Sequence, residues 1–203
     1  MRQNISGVNT IVYDQLYAYL EEHDIICKYQ SGFRAIHSTV TALLEATDTW
    51  AYNIDRCKIN AVVFQDLKMA FDTVHHDILL SKLNLYGING IAHQWFQSYL
   101  EDRTQMCSID GLPSSSCSLS CGVPQGTILG PLLFLLYINH LNCLSNCEPR
   151  MYADDTQLNY IRGQQYSQYS DKLKGRLRKC SQLAKSKQTH SKYDLNRVHV
   201  YWI

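Results

Sequence analysis

The sequence has almost no surplus of charge. Nineteen Lys and Arg stand against 18 Asp and Glu, a formal net charge of +1. A global electrostatic case for binding nucleic acid is therefore excluded, and any such role must rest on local sites. Long hydrophobic runs are missing too. The longest, Pro131-Leu132-Leu133-Phe134-Leu135-Leu136-Tyr137-Ile138, is far below the ~20 residues that span a bilayer. It reads as a core helix, and no membrane partner is expected. No secretory leader is visible in Met1-Arg2-Gln3-Asn4, so the eight cysteines read as reduced thiols. The expected compartment is intracellular, cytoplasmic or nuclear, and not secreted. Cys117/Cys121 and Cys143/Cys147 lack the Cys-x-x-Cys spacing of common zinc sites and read as ordinary cysteines. There is no internal repeat. The composition is not that of a disordered chain either: 45% hydrophobic and 18% charged residues predict a packed core. At 203 residues that means one domain or one and a half.

Several stretches carry clear periodicity. Val12, Leu16, Tyr19 and Leu20 recur at helical spacing and predict a helix over 12–22. It lies so near the first residue that the start looks truncated. Tyr29-Gln30-Ser31-Gly32-Phe33-Arg34 reads as a loop, with Gly32 where the backbone needs freedom. Ser38-Thr39-Val40-Thr41 should cap a helix running to about Tyr52. The β-branched run Ile59-Asn60-Ala61-Val62-Val63-Phe64-Gln65-Asp66 reads as a buried strand ending in an acid. Helices are expected over 77–86 and 92–100, the second carrying Trp95, Phe96 and Tyr99 as core aromatics. Strands over 106–109 and 118–120 would flank a turn at Gly111-Leu112-Pro113-Ser114. A glycine- and proline-rich loop, 122–131, feeds an apolar helix through Leu141. Residues 172–192 gather Lys and Arg with few large apolar residues. The whole tail from about Gln164 predicts little packing and looks foreign or out of frame.

The chemistry centres on Met151-Tyr152-Ala153-Asp154-Asp155-Thr156-Gln157-Leu158. Two adjacent carboxylates inside an apolar, strand-like run are costly unless something positive meets them. A continuous strand would send them to opposite faces, whereas a tight hairpin aims both at one point. Asp66, at the end of its own strand, supplies a third. Carboxylates converging from neighbouring strands suit the hard, oxygen-seeking Mg²⁺. Two such ions ~3.5–4 Å apart stabilise both the attacking and the leaving oxygen of phosphoryl transfer. The glycine-rich loop lets backbone approach a flat or phosphorylated ligand closely.

These motifs in order resemble the reverse transcriptase of non-LTR retrotransposons over roughly residues 12–160. They are Phe33-Arg34, Asp66-Leu67-Lys68-Met69-Ala70-Phe71-Asp72, Gly122-Val123-Pro124-Gln125-Gly126-Thr127-Ile128-Leu129-Gly130-Pro131 and Tyr152-Ala153-Asp154-Asp155. The resemblance implies an α+β fold: a polymerase palm of antiparallel sheet backed by helices, a partial fingers subdomain, and no thumb. Fingers would occupy 1–58, palm 59–162 and a basic tail of uncertain structure 163–203. The implied activity is RNA-directed DNA polymerisation with deoxynucleoside triphosphates, an RNA template and a DNA primer. Two Mg²⁺ are the implied cofactors, with Mn²⁺ a substitute; nothing points to a protein partner.

By position, Asp66, Asp154 and Asp155 match the metal-binding aspartates. Phe71 matches the aromatic gate that excludes a 2′-hydroxyl by sterics, and Gln125 and Gly126 match the loop against the nucleotide and template base. Arg34 resembles the arginine that meets the triphosphate, where a guanidinium fork suits phosphate oxygens. Tyr152 resembles the aromatic near the primer end. An RNA replicase would be expected to carry a polar residue at Phe71. Some positions depart from the pattern. Gln65 puts an amide before the first aspartate, at a cost of ~1–3 kcal/mol if buried unpaired; His75 and His140 stand where acids are usual. The alternative is an inactive retrotransposon remnant that at most binds nucleic acid.

Overall fold

The computed structural model describes residues 3–67, 69–140, 148–162 and 195–202. Cys143, Cys147 and the basic stretch 172–192 lie outside them. In chain order come α1 (Gln3–Glu22), α2 (Thr39–Asp55), β1 (Ile59–Leu67), α3 (His76–Leu85) and α4 (Gly90–Leu100). Four two-residue strands follow: β2 (Thr104–Gln105), β3 (Ser108–Ile109), β4 (Leu112–Pro113) and β5 (Cys117–Ser118). Then come α5 (Leu129–Ile138), β6 (Glu148–Tyr152), β7 (Asp155–Arg162) and β8 (Leu195–Trp202). Helices accompany antiparallel sheets, so the class is α+β. The chain forms two compact units, each built from two stretches: Met1–Ile25 with Phe71–Tyr137, and Ile26–Ala70 with Ile138–Ile203. Among the described residues no helix is long and apolar enough to cross a membrane.

In the second unit a four-stranded sheet runs in the order β6-β7-β1-β8. β1 is central, paired antiparallel with β7 on one side and β8 on the other. A strand in the last stretch revises the expectation of little packing there. Leu195-Asn196-Arg197-Val198-His199-Val200-Tyr201-Trp202 alternates in the period of a strand, a pattern masked by the basic residues before it. One face of the sheet is apolar, with Ala61, Val63, Leu67, Met151 and Leu158 buried. Among the described residues the other face is covered by α2 at one end. There Asn60 and Asn53 are almost wholly buried. Asn53 Nδ2 donates to Asn60 Oδ1 (2.8 Å), and Asn60 Nδ2 donates to the Trp50 carbonyl (3.2 Å). Trp50 Nε1 donates to Asn159 Oδ1 at 3.2 Å. Asn53 and Asn60, paired this way, dock the helix in one position, because any shift leaves their donors unpaired. Past α2 the face opens: Phe64 and Asp66 are exposed. Gln65 is only half-buried, so it is not the orphaned amide the sequence implied.

α2 starts where its cap predicts. Ser38 Oγ accepts from Thr41 N–H (3.1 Å) and Thr41 Oγ1 accepts from Ser38 N–H (2.9 Å), a reciprocal capping box.

In the first unit α1 is longer than its periodicity indicates. Leu16 and Leu20 are buried, but Val8 and Ile11 stay exposed, so the apolar repeat marks only the packed half. The turn of the β3–β4 hairpin is Asp110-Gly111, one residue earlier than expected. Both carry positive φ (52° and 79°), the geometry of a two-residue hairpin loop, for which Asp-Gly is a preferred pair. This pairs 108–109 with 112–113 and 104–105 with 117–118.

α5 is apolar all round and buried from Leu132 to Tyr137, as a helix enclosed by protein should be. Its last carbonyls have no helical partner. α3 and the residue after it meet them: Tyr86 OH donates to the Leu136 carbonyl (3.1 Å), and Lys82 Nζ donates to that of Tyr137. The Lys82 ammonium also lies 4.9 Å from the Tyr137 ring centroid. Burial lowers its pKa from 10.5 to about 8. Between those values the unfolded chain binds the proton more readily than the folded one. Stability from this group therefore rises as pH climbs from about 8 to 10.5. The wild type should gain stability relative to Lys82→Met across that window, measured by urea unfolding at matched pH. A stability gap that stays flat with pH would contradict the assignment.

Candidate active site

The sheet of the second unit positions the carboxylates. β1 and β7 pair with Phe64 opposite Gln157 and Gln65 opposite Thr156. Carried one step further, that register sets Asp66 across from Asp155. Directly opposed residues of an antiparallel pair share a face, so these two carboxylates point the same way. β6 and β7 form a hairpin closed at Tyr152 and Asp155, leaving Ala153-Asp154 as its two-residue loop. Asp154 is thus the tip residue, and Asp155 opens the return strand.

Asp66 and Asp155 are exposed and Asp154 is half-buried. The Asp155 carboxyl is raised above the ordinary carboxylate value, first by partial burial, then by the charges of Asp154 and Asp66. Asp155 therefore feels the other two acids. Among the described residues no three His, Cys, Asp or Glu side chains close into a ready-made metal cage. The donor chemistry still fits a hard divalent cation: only carboxylate oxygens, from neighbouring positions, with mutual repulsion that a cation would relieve.

Beside Asp155 lies an open groove of about 340 Å³, lined among others by Leu43, Phe64, Arg150, Tyr152 and Gln157. Tyr152 is half-buried there. Arg150 is held by a bond to Thr49 Oγ1 at 2.8 Å. It is the groove's cation, and no short motif around it in the sequence marks it.

Arg34 turns toward its own loop. Nη1 approaches the carbonyls of Cys27 (3.4 Å) and Gln30 (3.5 Å). The sequence assigned this loop to Arg34 and missed Gln30. Gln30 is buried, its Oε1 accepting from Gly32 and Ala153 N–H (2.8 Å each) and its Nε2 donating to the Ala153 carbonyl (3.1 Å). Gly32 is needed for contact, not freedom: a Cβ there would stand 2.2 Å from Ala153 N. The burial of Gln30 is visible only in the fold, and no short motif in the sequence marks it.

Phe71, Gln125 and Gly126 lie in the first unit. The Phe71 ring stacks on Phe134 of α5 with centroids 4.4 Å apart, so it is backed by the core and only half-buried. Gln125 Nε2 donates to Asp72 Oδ1 at 3.3 Å, and Gly126 takes φ 76°. The loop is tied to the segment after Phe71 by Val123 N–H to the Phe71 carbonyl (2.9 Å) and Gly122 N–H to that of Val74 (2.7 Å). His76 Nε2 lies 2.8 Å from the Gly122 carbonyl oxygen. Of the aromatics on α4, Phe96 is core, while Trp95 and Tyr99 are half-buried and stacked at 5.4 Å.

The family model described as reverse transcriptase (RNA-dependent DNA polymerase) matches residues 2–194. A probable RNA-directed DNA polymerase from transposon BS of Drosophila melanogaster is 34% identical over 164 residues, 74% of this chain and 17% of that protein. The RNA-directed DNA polymerase from mobile element jockey of the same species is 33% identical over 122 residues, 57% of this chain and 13% of that protein. The chain thus spans less than a fifth of the length of these relatives. A solved structure of apo telomerase from Candida tropicalis aligns with all of this chain and 41% of its own, at 13% identity and TM-score 0.63. At that identity the likeness concerns the fold.

Partial burial, with like-charge crowding second, raises the Asp155 carboxyl in the folded chain. With a raised folded pKa, the native state holds this proton more tightly than the unfolded chain, so stability from the group falls as pH rises above the carboxylate range. Asp155→Asn should therefore raise the melting temperature at neutral pH in metal-free buffer, and the gain should vanish in acid. Exposed charge pairs are worth ~1 kcal/mol or less, so the rise should stay within about 2–4 °C.

Proposed function

Because the chain belongs to the reverse transcriptase (RNA-dependent DNA polymerase) family, we propose that it is a polymerising domain of the non-LTR retrotransposon type. It would extend a DNA primer on an RNA template, acting inside the cell. The primer 3′-hydroxyl attacks the α-phosphate of a deoxynucleoside triphosphate, and pyrophosphate leaves. The observation that carries the reading is the convergence of Asp66, Asp154 and Asp155 on one sheet end, felt as repulsion at Asp155. These residues would hold divalent cations, Mg²⁺ by preference with Mn²⁺ a substitute. When bound, two such ions supply charge stabilisation to the attacking and leaving oxygens.

The protein's own share is positioning. The four-stranded sheet, whose order places β1 between β7 and β8, is read as the palm, and α2 with the 29–34 loop as part of the fingers. The groove bordered by Arg150 and Tyr152 suits a nucleic-acid strand, with Arg150 as its charge. In the first unit Phe71 is the sugar gate: a ring braced by Phe134 yields little to a 2′-hydroxyl, and rejection by sterics needs no buried polar group. Gln125 and Gly126 form the loop facing the nucleotide and template base. Arg34 keeps its triphosphate assignment only if it leaves the loop carbonyls it faces.

Purified protein should extend a DNA primer on RNA in the presence of Mg²⁺. Losing a ligand outright exceeds the ~10–100-fold that outer partners of a metal site are worth, so Asp154→Ala should abolish extension. Incorporation surviving that change would sink the reading. Primer–template binding without extension would identify a nucleic-acid-binding remnant instead. Phe71→Ala should lower discrimination against ribonucleotides at least ~10-fold in single-nucleotide incorporation; unchanged sugar choice would remove the gate from Phe71.

A further inference from the structure

We propose that Gln30 is a positioning residue for the Asp154-Asp155 turn. The proposal rests on the reading that these carboxylates hold a divalent cation. β6 lies at the edge of the sheet, and the 29–31 segment runs along its free side. Met151 N–H donates to the Tyr29 carbonyl and Ser31 N–H donates to the Met151 carbonyl (2.8 Å each), a parallel bridge centred on Gln30 and Met151. That backbone pairing ends one residue short of Tyr152. Beyond it the Gln30 side chain takes over, reaching the turn itself.

One amide occupies both polar groups of Ala153. Its Oε1 accepts the Ala153 N–H and its Nε2 donates to the Ala153 carbonyl. The second lone pair of Oε1 takes the Gly32 N–H, so the donor and acceptor that meet Ala153 are anchored to the loop backbone. Few residues meet these demands. Asn is a methylene shorter, Met offers no hydrogen bonds, and Glu presents an oxygen where a donor must face a carbonyl. The bonded residue matters because Ala153 has φ 55°, the left-handed region that L-residues enter at a cost. Its carbonyl carbon leads directly into Asp154. Releasing the clamp lets Ala153 relax toward ordinary backbone angles, and the Asp154 side chain then swings away from Asp66 and Asp155. Gly32 serves the same contact, since a side chain there would push the loop off the turn.

The test uses the full chain, with Mn²⁺ as a paramagnetic probe of cation binding and amide hydrogen exchange as a probe of the turn. Outer partners that orient metal ligands are typically worth 10–100-fold in affinity. Gln30→Met should weaken Mn²⁺ binding at least about tenfold and speed exchange of the Ala153 amide. Exchange at Val62 and Val63 should not change. In primer extension the half-saturating Mn²⁺ concentration should rise while KM for the deoxynucleotide holds. Gln30→Glu keeps the two accepted bonds and loses the donated one, so its effects should fall between wild type and Gln30→Met. If Gln30→Met fails to fold, Gln30→Glu decides by the same readings. Wild-type Mn²⁺ affinity in the variants overturns the proposal, whether or not the Ala153 amide exchanges faster, and so does a wild-type chain that binds no Mn²⁺. Weakened Mn²⁺ binding in a chain that extends no primer upholds the positioning role and rejects the polymerase reading instead.

Discussion

The register between β1 and β7 is the constraint on which the carboxylate set depends. A slip of one residue would carry Asp155 to the opposite face from Asp66. Asp154, at the hairpin tip, would lose its neighbour as well. Apolar alternation fixes the register only in part, because Val62 and Val63 are both buried and either face would accept them. The amides decide it. Asn60 and Asn159 find their partners on α2 only from the face that also presents Phe64 and Asp66. Slippage would bury these groups unpaired, at ~1–3 kcal/mol each, which is large beside the ~5–15 kcal/mol stability of a typical domain.

The same sheet face is closed at one end and open at the other, and the two ends ask for different chemistry. Under α2, polar side chains are neutral, and Asn53 and Asn60 are paired with each other. Beyond α2 they are carboxylates open to solvent, and after partial burial the charges of Asp154 and Asp66 raise the Asp155 carboxyl further. Solvent exposure keeps that repulsion small enough for the fold to tolerate. It also leaves the carboxylates open to a cation from outside. A fully buried trio would be neutralised by protonation and would lose the charge a cation needs.

Short-range signals were the legible ones. The Ser38 capping box, the β-branched run into Asp66 and a hairpin at Asp154-Asp155 each depend on residues within a few positions; the structure has all three, though only Asp154 sits at the hairpin tip and Asp155 opens the return strand. Interactions across long separations left weaker traces. Gln30 and Ala153 are 123 positions apart, and an isolated Gln in a loop looks like any solvated polar residue. The strand at 195–202 is hidden by the basic run before it, whose composition dominates any wide window. The Asp110-Gly111 turn falls one residue earlier than the Gly-Leu-Pro-Ser composition suggests, because Gly111 is its second central position. α1 shows the converse error. Its periodic half was seen and its exposed half was not, since periodicity reports burial and helices continue where nothing is buried.

The residue at the tip shows how position and dependence are linked. Glycine at 153 would enter the left-handed region freely, and the turn would then form without outside help. Alanine costs roughly 1–2 kcal/mol there. Two hydrogen bonds from Gln30 to Ala153, each worth about 0.5–1.5 kcal/mol net, are enough to offset that cost, and no other side-chain bond to Ala153 is present among the described residues. The conformation that aims Asp154 is thus not intrinsic to the hairpin. It is imposed by a loop far away in sequence, so the carboxylates take up their arrangement only once the 29–32 segment has docked on β6. Such a turn is more sharply defined than a glycine turn, because the alternatives open to glycine are closed to alanine. It is also more fragile, since both bonds that hold Ala153 to the loop come from one amide.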